Sequence, residues 1–212
     1  MKHIYCISGF GGDERVFSKI KFGENKVHFI PWLLPEKGES IADYAKRMRS
    51  TIQEDNPVLL GLSFGGMMCV EIAKFINTRK VILISSIKSL HEIPLWMKLA
   101  GKSQLHKIFP LRSFRLLEPV QNYNLGIESD TELQLVREYR KNVGQEYTNW
   151  AINEILNWKN TWLPENTFHI HGSKDHMFPI RNIKTRYIIP GGGHFMIMNR
   201  AEKVNEILGS IL

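Results

Sequence analysis

The sequence predicts an α/β protein built on a doubly wound, mostly parallel sheet. Three observations carry that expectation. Short apolar runs alternate with amphipathic helical stretches at both ends of the chain. The run Val81-Ile82-Leu83-Ile84 is continuously apolar, the pattern of a strand buried on both faces. Several apolar runs also stop at glycine-rich turns: Gly9-Phe10-Gly11-Gly12, Gly61-Leu62-Ser63-Phe64-Gly65-Gly66, Gly172, and Gly191-Gly192-Gly193.

The elements follow in order. A first strand over Lys2 to Ser8 runs into the first glycine cluster, then a short segment from Glu14 to Ile20 precedes a second strand, Lys26 to Ile30. Pro31 and Pro35 bracket a loop holding Trp32. Ser40 is placed to cap a helix in which Ile41, Tyr44, Ala45, Met48 and Ile52 recur at helical spacing. The third strand, Val58 to Leu60, leads into the turn at Ser63, and a helix from Met67 to Asn77 follows, apolar over much of its circumference. Lys80 to Ile84 is the fourth strand.

From Ile87 to about Leu163 no strand is expected. Apolar residues there, among them Trp96, Leu99, Leu105, Ile108, Phe109, Phe114, Leu117, Val136, Tyr139 and Trp150, fit several helices. They read equally as the packing of a helical subdomain and as a lid lining an acyl pocket. Strands return at Thr167 to His171 and Thr185 to Ile189. The last helix is expected to be capped by Asn199, with Glu202 three residues later.

Composition limits the function classes. The chain has 212 residues, 43% hydrophobic and 23% charged, enough for one domain with a substantial core and an insertion. The net charge of +7 invites a nucleic-acid partner. Its distribution argues otherwise: Lys/Arg against Asp/Glu is 12 to 9 in residues 1–85, 10 to 8 in 86–164 and 6 to 4 in 165–212, with no basic run. No stretch approaches the ~20 apolar residues of a membrane span, and the N-terminal apolar run is too short for a signal peptide. A cytoplasmic protein is therefore expected, with Cys6 and Cys69 as buried, reduced thiols. Oligomeric state is not legible.

Ser63, Asp175 and His194 each stand just beyond a strand in a glycine setting, in the order Ser, Asp, His. A parallel sheet gathers the carboxyl ends of its strands on one edge, so residues distant in sequence meet there. Between strand and helix, the Gly-x-Ser-x-Gly turn strains the backbone at Ser63 and exposes its hydroxyl. His169 and His171, with His176 nearby, also read as a metal site; the lack of a second ligand cluster argues against it.

Four pieces together, Ser8-Gly9-Phe10-Gly11-Gly12, Gly61 to Gly66, His171-Gly172-Ser173-Lys174-Asp175 with Pro179, and Gly192-Gly193-His194-Phe195, make the chain resemble the α/β-hydrolase superfamily, in particular its small carboxylesterase-like members of the pimeloyl-ester esterase type. The resemblance implies a hydrolase core of residues 1–86 and 164–212, with 87–163 as a helical cap inserted after the fourth strand. It implies a sheet reduced to about six strands in the order 2-1-3-4-5-6, because the chain starts almost on the glycine loop. The implied site is a Ser63–His194–Asp175 triad with the backbone N–H groups of Phe10 and Phe64 as oxyanion donors, and neither metal nor organic cofactor. The implied partner is a small carboxylic ester or thioester. Ser8 stands where the family commonly has histidine, which leaves open what holds that loop. Two other functions fit the pattern: a triad enzyme working on carbon–carbon bonds, and a hydrolase scaffold that binds a small molecule without reaction.

Overall fold

The computed structural model of the protein describes residues 1–103 and 117–212. Six strands form one all-parallel sheet: β1 (His3–Ile7), β2 (Lys26–Phe29), β3 (Val58–Leu62), β4 (Lys80–Ile84), β5 (Thr167–Gly172) and β6 (Tyr187–Ile189), in the order β2-β1-β3-β4-β5-β6. The expected order therefore holds. The central strands are fully buried, which is why β3 and β4 read as unbroken apolar runs.

Side chains alternate between the two faces of the sheet. Tyr5, Ile7, Leu59, Val81 and Leu83 pack into one core with α1 (Ile41–Arg49), α2 (Phe64–Ile72), α3 (Leu95–Ser103) and α6 (Gln145–Asn157). Ile4, Cys6, Leu60, Ile82, Ile84 and Ile170 pack into the other with a 3-10 turn at Glu14–Phe17, α5 (Asp130–Asn142), α7 (Met196–Asn199) and α8 (Ala201–Ile211). α4 (Glu118–Leu125) lies between α3 and α5 in the chain. Cys6 and Cys69 are both buried and free, and they sit in opposite cores. No helix among the described residues is long and apolar enough to cross a membrane.

Some boundaries shift for physical reasons. α2 begins at Phe64, not Met67, and ends at Ile72, so Phe75 lies beyond it and is exposed. Gly65 and Gly66 are poor helix formers by propensity, but close neighbours select them: a Cβ on Gly65 would lie 2.3 Å from the carbonyl oxygens of Ile7 and Ser8, and one on Gly66 would lie 2.4 Å from the Ser86 hydroxyl. Ser40 caps α1 as expected, its hydroxyl accepting the Asp43 N–H. Asn199 does not cap the last helix, whose N-cap is Arg200 without a side-chain bond. The Asn199 amide instead donates to the Gly126 carbonyl at 3.0 Å, binding the helical insert to the C-terminal segment.

Between β4 and β5 the regular elements among the described residues are all helices, joined by irregular segments. Val136 and Tyr139 are buried, whereas Trp96, Leu99 and Leu117 are exposed. Leu105, Ile108, Phe109 and Phe114 lie outside the described residues.

Candidate active site

Ser63 stands between the last residue of β3 and the first of α2, with φ 52° and ψ −118°. Such a conformation costs a non-glycine residue about 1–3 kcal/mol and persists only where the surroundings impose it. Here they do. A Cβ on Gly61 would lie 2.3 Å from the Gly65 carbonyl oxygen, so the turn closes on itself without room for side chains. The Ser63 N–H donates to the Ile84 carbonyl at 2.9 Å, and the Ser86 hydroxyl donates to the Ser63 carbonyl at 2.7 Å. Both ends of the strained peptide are thus tied to the end of β4.

His194 follows the glycine turn after β6, and Asp175 follows β5. A Cβ on Gly172 would lie 2.2 Å from the Gly192 carbonyl oxygen, which brings these two turns together. His194 Nδ1 is 2.8 Å from Asp175 Oδ2, and His194 Nε2 is 2.8 Å from Ser63 Oγ. The hydrogens follow from the acceptors. An ionised carboxylate only accepts, so Nδ1 carries the proton and Nε2 presents a lone pair to the serine hydroxyl. All three residues expected from the sequence are brought into one chain of contacts. Asp175 and His194 are buried, so water does not compete for their bonds.

Asp175 has further partners. Its Oδ1 accepts the Phe178 N–H at 2.8 Å, and His171 Nε2 lies 3.4 Å from Oδ2. Burial works against ionisation of this carboxyl, but the charge and hydrogen bond of His194, then His171 and the Phe178 N–H, together outweigh it and hold the group below the usual carboxylate range. His171 Nε2 also faces the Phe178 carbonyl at 2.8 Å, so it bears hydrogen, and its Nδ1 is left to accept from His169 Nε2 at 3.3 Å. Burial pushes both imidazoles below the ordinary histidine value, so they are neutral braces behind the acid. His171 Nδ1 and Nε2 and His169 Nε2 are engaged inside the core, and His169 Nδ1 is buried without a hydrogen-bond partner among the described residues. His176 instead stacks on Tyr123 of α4, with centroids 4.6 Å apart.

The two expected oxyanion donors border Ser63. Phe64 is the first residue of α2, where a backbone N–H has no helical carbonyl to meet and the helix dipole is positive. Phe10 lies on the loop after β1, and a Cβ on neighbouring Gly9 would sit 3.5 Å from Ser63 Cβ. Ser8 holds this loop in place of a histidine. Its hydroxyl donates to the Gly12 carbonyl at 2.6 Å and accepts the Trp32 indole N–H at 3.0 Å. The same indole N–H lies 3.0 Å from the Gly9 carbonyl. The Trp32 ring then stacks on Phe64, 5.0 Å between centroids and 7° between planes. One side chain therefore touches both the loop that carries Phe10 and Phe64 itself. Nothing in the sequence marks Trp32 for this role; its place between two prolines was the only signal.

The insert braces the same loop from outside. Gly11 adopts φ 64°, and a Cβ there would meet Val143 Cγ2 at 2.2 Å; Phe10 packs on Tyr147 at 5.6 Å. A cavity of about 620 Å³ lies behind the loop, walled by Gly12, Phe17, Trp32, Leu33 and Asn142. Neither Ser63 nor His194 lines it.

No protein-family model matches the sequence, and no curated protein matches it by sequence. Solved structures match across the whole chain. MenH from S. aureus is 17% identical, with a TM-score of 0.74 over 100% of this chain and 93% of that one. A thermophilic esterase from Thermogutta terrifontis is 16% identical, with a TM-score of 0.65 over 99% and 89%. An epoxide hydrolase from Bacillus megaterium is 13% identical, with a TM-score of 0.65 over 100% and 93%. At these identities the likeness speaks for architecture, and with the sheet order and the Ser63 turn it shows that the chain has the α/β-hydrolase fold.

Proposed function

We propose that the protein is a serine hydrolase that cleaves a small carboxylic ester or thioester through an acyl-enzyme. The observation that carries this reading is the position of His194, 2.8 Å from the Ser63 hydroxyl on one side and 2.8 Å from the Asp175 carboxylate on the other. Likeness to solved hydrolases supports hydrolysis in general, and the serine at the turn favours the acyl route.

Ser63 Oγ forms a bond to the substrate carbonyl carbon while His194 Nε2 takes the hydroxyl proton. The carbonyl oxygen gains the negative charge and is met by the N–H groups of Phe64 and Phe10. Asp175 holds the tautomer of His194 and stabilises the imidazolium. The tetrahedral adduct collapses, and the alcohol or thiol leaves with the proton from His194. Water then adds to the acyl-Ser63 carbonyl through the same histidine, releasing the acid. In this reading Trp32 and Ser8 are positioning residues for the donors, and residues 87–163 act as a cap over a core of 1–86 and 164–212.

The test is labelling with a fluorophosphonate probe, wild type against Ser63→Ala, beside an acyl-chain panel of p-nitrophenyl esters and thioesters. Wild type is expected to label on Ser63 and turn over the panel, and the variant to do neither. Unlabelled, inert wild-type protein that stays folded overturns the proposal in favour of a binding scaffold.

A further inference from the structure

At the amino end of the sheet, opposite Ser63, a second cluster gathers. His3 opens β1, and Tyr5 lies two residues on, on the same face. In the parallel register His28 of β2 pairs with Tyr5, so His28 sits diagonally from His3. Glu54, from the connection between α1 and β3, closes the group. His3 Nδ1 is 2.6 Å from Glu54 Oε1 and 3.1 Å from His28 Nε2, and the three ligand atoms all lie within 4.8 Å of one another. The Tyr5 hydroxyl bonds the other carboxylate oxygen, Glu54 Oε2.

We propose that His3, His28 and Glu54 form a binding site for a divalent transition-metal ion of the zinc class. Two imidazoles and a carboxylate are a borderline-soft donor set suited to that class, and poorly suited to magnesium or calcium, which take oxygen ligands. Ligands about 2.0–2.1 Å from a tetrahedral ion stand roughly 3.3 Å from one another. The two nitrogens are already close to that spacing, and Glu54 Oε1, at 2.6 Å from His3 Nδ1, needs to draw back from that nitrogen by under ~1 Å. His3 and Glu54 are 26% and 29% exposed, open enough for an ion to enter and for water to complete its coordination. The phenol on the second carboxylate oxygen does what outer-shell hydrogen bonds do at metal sites: it fixes the orientation of the ligand. Bound there, the ion ties the edge strand β2 to β1 and to the loop before β3. It takes no part in chemistry at Ser63.

Without the metal the same groups form a His–carboxylate contact, so the experiment must separate the two. Tag-free protein, treated with chelator and dialysed, is titrated with Zn²⁺ by calorimetry and with Co²⁺ by visible absorption, with Mg²⁺ as control. The expected result is one equivalent of Zn²⁺ bound, a melting temperature raised by it, and no response to Mg²⁺. Tyr5→Phe is expected to weaken binding about 10-fold, and His28→Ala or Glu54→Gln by more, up to about 100-fold or beyond. No one-equivalent binding by folded wild-type protein overturns the proposal. So does undiminished binding by His28→Ala and Glu54→Gln, or its loss in His169→Ala with those two unaffected.

Discussion

The two ends of the sheet hold similar side chains in opposite ways. At the amino end, His3, His28 and Glu54 are partly exposed, on ordinary extended backbone and a surface connection. At the carboxyl end, Asp175 and His194 are buried, and Ser63 is held on strained backbone between contacts that leave no room for a Cβ. A histidine beside a carboxylate is common to both. What differs is the surroundings: at one end they bury the groups and hold them in place, and at the other they leave the groups free to regroup around an ion. Reactive geometry here comes from backbone crowding, not from the identity of the acid and the base.

Substitutions can break that contrast in descending order. Ser63→Ala removes the proposed nucleophile and keeps the backbone, so kcat for the proposed ester hydrolysis is expected to fall about a million-fold with an unchanged melting curve. Asp175→Asn presents the wrong hydrogen-bond pattern to His194 and is expected to cost roughly 10⁴-fold in kcat. The same variant tests the charge. Asp175 has a folded pKa below its unfolded value of about 3.9, so it contributes stability that is complete above that pH and is lost as pH falls through the lower value. Melting temperatures taken from pH 6 down to pH 2.5 should therefore fall less steeply in Asp175→Asn than in wild type.

Gly65→Ala drives a methyl group against two backbone carbonyls, and about 1–3 kcal/mol of destabilisation or more is expected in denaturant titration. Trp32→Phe sharpens the comparison most finely. It keeps a ring against Phe64 but removes the N–H that meets Ser8 and Gly9. One buried hydrogen bond of about 1–1.5 kcal/mol predicts a kcat lowered roughly 10-fold with KM little changed. A rise in KM alone would make Trp32 a substrate contact, not a positioning residue.

The fold was legible because several strands stop at glycine-rich turns and Val81 to Ile84 is a continuous apolar run of strand length. The meeting of Ser63, Asp175 and His194 followed from the parallel sheet. What could not be read was contact between residues with no local signal. Trp32 acts across 24 residues on Ser8, and His3 meets His28 only through the β1–β2 register. Asn199 followed a sound local rule and was claimed by a tertiary partner, the Gly126 carbonyl. α2 starts earlier than its sequence suggests because two glycines disfavour helix locally, while the end of β1 requires Gly65 and Ser86 requires Gly66.

The Asn199 bond has a companion that matters for protein engineering. The Phe195 N–H donates to the Leu125 carbonyl at 2.8 Å, and a Cβ on Gly126 would stand 3.2 Å from Gly193 Cα. The end of α4 is thus part of the mounting of His194. A chimera that borrows another protein's helices between β4 and β5 to change substrate range would also replace the support under His194, the proposed general base. Grafts that keep Leu125 and Gly126 in place would retain that support, and those that cut through them would lose catalytic rate along with the old specificity.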